Sequence, residues 1–140
     1  MAELLELVQK IRAAMETEAV KRSCNGFNDF PHGACMDASI LLGVILHRHG
    51  LGAFQLVSAW NEIGRRFSHA WLENEKLLID ITGDQFESWP AQPLVLDVSK
   101  LPVHYQSLEI QFKESVLRHN RVPDLGFYSA MKIVEDMIVT

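Results

Sequence analysis

Only two cysteines, Cys24 and Cys35, occur in 140 residues. A small disulfide-stapled domain carries more, and a structural zinc site shows paired Cys or His ligands. Both classes are disfavoured, although a Cys24–Cys35 bridge stays open on count alone. Long apolar runs are also missing, and none approaches the ~20 residues of a membrane span. Positive charge is scarce. The net charge of −5 argues against a nucleic-acid or anionic-membrane partner, either of which calls for a basic face. The opening Met1-Ala2-Glu3-Leu4-Leu5-Glu6-Leu7 carries acid where a signal peptide carries base. The expected localisation is therefore cytoplasmic, with export by a route lacking a cleavable signal left open. No repeat, low-complexity stretch or linker divides the chain, so one domain over 1–140 is expected.

What is present suffices for a full core, with 48% hydrophobic and 22% charged residues. Leu4, Val8, Ile11 and Met15 recur at helical spacing and predict a helix over 3–22. Residues 23–34 read as a loop whose aromatic residues pack down. A second helix is expected over 35–49, largely buried through Ala38, Leu41, Leu42, Ile45 and Leu46, with Gly50 ending it. Three strands follow over 53–60, 66–73 and 76–82, with a tight turn at Asn74-Glu75, as an antiparallel meander. Pro90, Pro93 and Pro102 make 87–107 irregular, with a short strand over 94–98. Residues 108–119 are ambiguous between strand and helix. A closing helix over 124–138 takes Asp124 as its cap. The expected class is α+β, a buried helix against an antiparallel sheet with helices at both termini.

Cys35 falls where the loop ends and the second helix starts. Unpaired N–H groups and the helix dipole favour a thiolate there. His69 and Asp80 lie on consecutive strands, and a turn at Asn74-Glu75 sets them directly opposite one another on one face. A thiol, an imidazole able to exchange its proton near neutrality and a carboxylate holding the ring make a nucleophile, a base and an orienting group. Singly, each residue also fits a structural role: a buried thiol, a hydrogen-bonded histidine, a turn-forming aspartate.

The stretches Gly33-Ala34-Cys35, Ser68-His69-Ala70-Trp71 and Ile79-Asp80-Ile81-Thr82, in that order, resemble the core of the transglutaminase-like branch of the papain-like superfamily. The resemblance spans residues 30–86, about two-fifths of the chain. It implies Cys35 as nucleophile, His69 as general base and acid, and Asp80 as orienter. It further implies attack on an amide, peptide or thioester carbonyl through a covalent acyl-enzyme, resolved by water or an amine. The substrate would be a peptide, a protein side-chain amide or a small acyl compound, and no organic cofactor or metal is implied. An oxyanion hole would use the Cys35 N–H and a side-chain amide. Relatives place a glutamine before the cysteine, whereas this chain offers Asn25 and Asn28 there, and Gln85 past the aspartate strand. His32 and Asp29 are substrate-binding candidates, and Trp60, Trp71 and Trp89 could line a cleft or fill the core.

Two other readings stand beside the enzyme. A binding or immunity-type protein would keep the fold with an inert Cys-His-Asp set. A zinc site would use Cys35, His69 and Asp80 with His32.

Overall fold

The structure is a computed structural model of the chain, and it describes residues 1–61, 67–118 and 126–139. Among the described residues, five helices, α1 (Ala2–Met15), α2 (Glu18–Ser23), α3 (Cys35–Arg48), α4 (Val103–Gln106) and α5 (Phe127–Ile138), accompany five strands. The strands are β1 (Gln55–Asn61), β2 (Phe67–Glu73), β3 (Leu77–Asp80), β4 (Leu94–Asp97) and β5 (Glu109–Ser115). They form one antiparallel sheet in the order β4-β3-β2-β1-β5. The class is α+β, as the alternation of helical and strand periods implies.

The helix expected over 3–22 is broken into α1 and α2. Thr17 adopts extended backbone, and its hydroxyl donates to the Ala14 carbonyl and accepts from the Val20 N–H. A threonine that bonds its neighbours' backbone both closes one helix and opens the next. The following loop carries a 3-10 turn over Asn25–Phe27, and buried Phe27 and Phe30 hold it down. α3 buries Ala38, Leu41, Leu42, Ile45 and Leu46 completely, and Gly50 follows it with φ +72°, the left-handed conformation that glycine adopts freely. Of the residues expected to form a strand or a helix over 108–119, Glu109–Ser115 form edge strand β5, paired to β1, and Val116–Arg118 form a 3-10 turn, while residue 119 lies outside the described residues. The residues of β5 are mostly solvent-exposed, so neither apolar period shows in the sequence. α5 starts at Phe127 after Gly126, and Asp124, expected as its cap, lies outside the described residues.

The sheet has two packed faces. Leu72 and Ile79 join α1, α3 and α5 in the larger apolar core. Trp71, Leu78, Val57 and Ala59 face the other way, under Tyr105, Leu108, Trp89 and Leu101. The proline-rich segment between β3 and β5 thus roofs the second face. Among the described residues no helix is long and apolar enough to cross a membrane.

Candidate active site

Cys35 is the first residue of α3, preceded by Ala34 with no side-chain cap. The first intrahelical bond runs from the Ala38 N–H to the Ala34 carbonyl at 2.8 Å. The N–H groups of Cys35, Met36 and Asp37 therefore have no carbonyl one turn earlier to bond, and they aim the positive end of the helix outward. The thiol is half-buried.

Alternation along β2 puts His69 on the face of Trp71, away from the flank of α3. It is the start of the helix, not its side, that meets the imidazole. On β3 the same alternation places Asp80 with Leu78. His69 Nε2 lies 2.6 Å from Asp80 Oδ2, and both side chains are fully buried. The expected direct opposition of the two residues is corrected. Leu72 pairs with Ile79 and Glu73 with Leu78, so continuing the register sets Trp71 opposite Asp80 and leaves His69 on the diagonal. The turn lies one residue later than expected. Asn74 closes it, its carboxamide oxygen accepting from the Lys76 and Leu77 N–H groups. A two-residue slip keeps every side chain on its face, and a diagonal gap is within an imidazole's reach.

Asp80 uses both oxygens. Oδ2 also accepts from the Tyr105 hydroxyl at 2.6 Å, and Oδ1 accepts from the Thr82 N–H at 3.0 Å and the Thr82 hydroxyl at 3.4 Å. Burial opposes ionisation, but the charge of His69 and these hydrogen bonds outweigh it and hold the carboxyl below its ordinary value. For His69, burial disfavours the charged ring. The Asp80 charge and hydrogen bond overcome that, with a further contribution from the Cys35 side chain, and push the imidazole up to about 9. At neutral pH the ring is then an imidazolium, with Nε2–H on Asp80. Nδ1 is buried and makes no hydrogen bond among the described residues, and the Cys35 side chain acts on the same ring. Phe86, Trp89, Trp71 and Tyr105 surround the ring at centroid distances of 5.1, 5.2, 5.7 and 6.3 Å.

Comparison with protein-family models, with curated proteins and with solved structures returned no match.

Of the remaining candidates, Gln85 is the one tied to the nucleophile loop. Its Oε1 accepts from the Gly33 N–H at 3.3 Å, and its Nε2 donates to the Thr82 carbonyl at 3.1 Å. It thus joins the loop before Cys35 to the turn after Asp80. Asn25, Asn28 and His32 are exposed, and no hydrogen bond among the described residues ties them to Cys35. Trp71 is buried, Trp89 packs on the imidazole and Trp60 is half-buried. Cys24 is buried, and neither cysteine is bridged. Among the described residues no group of three or more His, Cys, Asp or Glu is placed to hold a metal ion.

Three participants were not legible in the sequence. Tyr105 reaches Asp80 from α4, twenty-five positions along the chain. Gln92 lies close to Gly83 together with the Tyr105 hydroxyl, its Nε2 donating to the Pro90 carbonyl at 3.1 Å. Arg12 on α1 donates to the Ile81 carbonyl at 2.5 Å, pairs with both oxygens of Asp84 at 2.8 Å and lies 4.9 Å over the Phe30 ring. It ties the aspartate turn and the nucleophile loop to the first helix. Only Thr82 had a local signal, its place two residues after an aspartate.

Proposed function

We propose that the protein is a thiol-dependent acyl-transfer enzyme, an amidase, peptidase, deamidase or transamidase, working through a Cys35-His69-Asp80 triad. The observation that carries this reading is the division of labour on one buried imidazole. Nε2 is taken by Asp80 at 2.6 Å, Nδ1 makes no hydrogen bond among the described residues, and the Cys35 side chain acts on the ring from an uncapped helix start. Cys35 Sγ attacks the carbonyl carbon, and the oxyanion that forms is met by the Cys35 N–H. His69 Nδ1–H protonates the departing amine or thiolate, leaving an acyl-enzyme. Water or an amine then attacks while Nδ1 accepts its proton, and Cys35 departs. Asp80 keeps the ring oriented throughout. The papain-like, transglutaminase-like architecture suggested by the motifs agrees with the α+β arrangement, the helix-start cysteine and the hairpin that bears His69 and Asp80. We assign the substrate to peptides, protein side-chain amides or small acyl compounds, with the protein acting in the cytoplasm.

One observation favours an inert binding or immunity-type protein on the same fold: the imidazole is wholly shielded from solvent beneath Phe86 and Trp89. The pH profile of Cys35 alkylation by iodoacetamide separates the two. Cys24 is buried and is a poor comparator, so the references are a free thiol such as glutathione and the His69→Ala variant. The enzyme reading expects Cys35 at pH 7 to react at least about tenfold faster than in His69→Ala, because an imidazolium beside sulfur favours thiolate. Equal rates with and without His69 would leave the inert reading in place.

A further inference from the structure

The group that the triad chemistry does not itself require is the Tyr105 hydroxyl. It is only 2% exposed. Its O–H donates to Asp80 Oδ2 at 2.6 Å, the same oxygen that holds His69 Nε2. A Cβ on Gly83 would sit 2.8 Å from Asp80 Oδ2, 2.8 Å from Gln92 Nε2 and 3.0 Å from the Tyr105 oxygen. Glycine at 83 is thus the residue that leaves room for these three side chains to meet.

We propose that Tyr105 is a positioning residue that acts on His69 through Asp80, its hydroxyl and the imidazole sharing one carboxylate oxygen in a chain Tyr105–Asp80–His69. The inference rests on the triad reading for its catalytic meaning, but the physical coupling stands without it. The other titratable groups facing the ring are Cys35 from α3 and Asp80 from β3. Asp84, which also acts on Tyr105, is neutralised by its bidentate pairing with Arg12.

The sign follows from charge sharing. While the ring is protonated, its charge stabilises Asp80. Once it loses its proton the carboxylate stands alone and depends more heavily on the Tyr105 hydrogen bond. The hydroxyl therefore favours the neutral ring, and it trims an imidazole that would otherwise hold its proton too tightly to pass it on.

The test is an NMR titration of the His69 imidazole nitrogens in the full chain, assigned with His69→Ala, comparing wild type, Tyr105→Phe and a fluorotyrosine-substituted protein. The chain has two tyrosines, and the other, Tyr128, is exposed, so Tyr128→Phe confines the fluorine label to position 105. Tyr105→Phe is expected to raise the His69 midpoint by about one pH unit. A 3,5-difluorotyrosine at 105, a stronger donor of nearly unchanged shape, is expected to lower it. The alkaline limb of Cys35 alkylation should move in step. Midpoints unchanged in both proteins, with only thermal stability altered, would overturn the proposal and leave Tyr105 a packing residue. If instead the midpoints move while Cys35 alkylation ignores His69, the coupling holds and the enzyme reading fails.

Discussion

His69 Nε2 reaches Asp80 Oδ2 at 2.6 Å across the diagonal of the β2–β3 hairpin, not along its rungs. The pair is sealed from solvent, so its charges are screened weakly and its effect on folding follows pH. The raised His69 value stabilises the fold fully below its ordinary 6.5, and that contribution is lost as pH rises through about 9. The lowered Asp80 value contributes above its ordinary 3.8 and is lost as pH falls through the folded value. Urea midpoints should therefore be level from about pH 5 to 6.5 and decline toward pH 9 to 10. A flat profile across the upper window would show that no imidazolium–carboxylate pair exists in the folded protein.

Asp80→Asn is isosteric but not neutral. Among the described residues, every hydrogen bond of the Asp80 carboxylate is an accepted one, from His69, Tyr105 and Thr82. An amide must turn its NH2 toward one of these donors, leaving buried donors face to face. The expected cost is about 1–3 kcal/mol in urea denaturation, together with at least about a tenfold fall in Cys35 alkylation rate at pH 7 as the imidazolium loses its counter-charge. A variant as stable and as reactive as wild type would contradict the ionised state of Asp80.

Arg12 has its side chain 11% exposed and holds the Ile81 carbonyl, Asp84 and the Phe30 ring at once. Because the site is only partly buried, the ion pair by itself is weak, and the hydrogen bond to a backbone carbonyl carries more. Arg12→Met is expected to cost about 1–3 kcal/mol. Arg12→Lys should recover less than half of that, since an ammonium cannot make the forked contact. Full recovery by lysine in equilibrium unfolding would refute the bidentate account.

Gly83→Ala pushes a methyl into the meeting point of Asp80, Gln92 and Tyr105. Overpacking of this kind costs about 1–3 kcal/mol. The displaced carboxylate should also slow Cys35 alkylation near neutral pH, whereas Gly50→Ala, where an added Cβ meets nothing, should lower stability alone. Alkylation kinetics and thermal melts on the two variants provide the comparison, and equal kinetics in both would argue against Gly83 as a space-maker for the site.

The hairpin illustrates how far local sequence carries. Asn74 announces a turn, but its carboxamide caps the Lys76 and Leu77 N–H groups, so it begins the turn and Glu75-Lys76 form its centre. Reading the turn one residue early shifts the partners by two. The shift is even, so His69 and Asp80 keep a common face and only their opposition is lost. The break at Thr17 was likewise visible as a residue type, yet it was masked by an apolar stripe running through it.

By itself the sequence determined the periods of α1, α3 and the β1–β3 meander, the position of Cys35 at a helix start and the shared face of His69 and Asp80. All of these depend on neighbours within a turn or a hairpin, where residue type and spacing act directly. The tertiary structure alone decided that β5 pairs with β1, that the proline-rich segment roofs the second face, that Tyr105 bonds Asp80 and that Arg12 ties the turn after Asp80 to the first helix. Those contacts join elements far apart in the chain, and burial and hydrogen-bond satisfaction choose such partners only once the sheet has assembled around them.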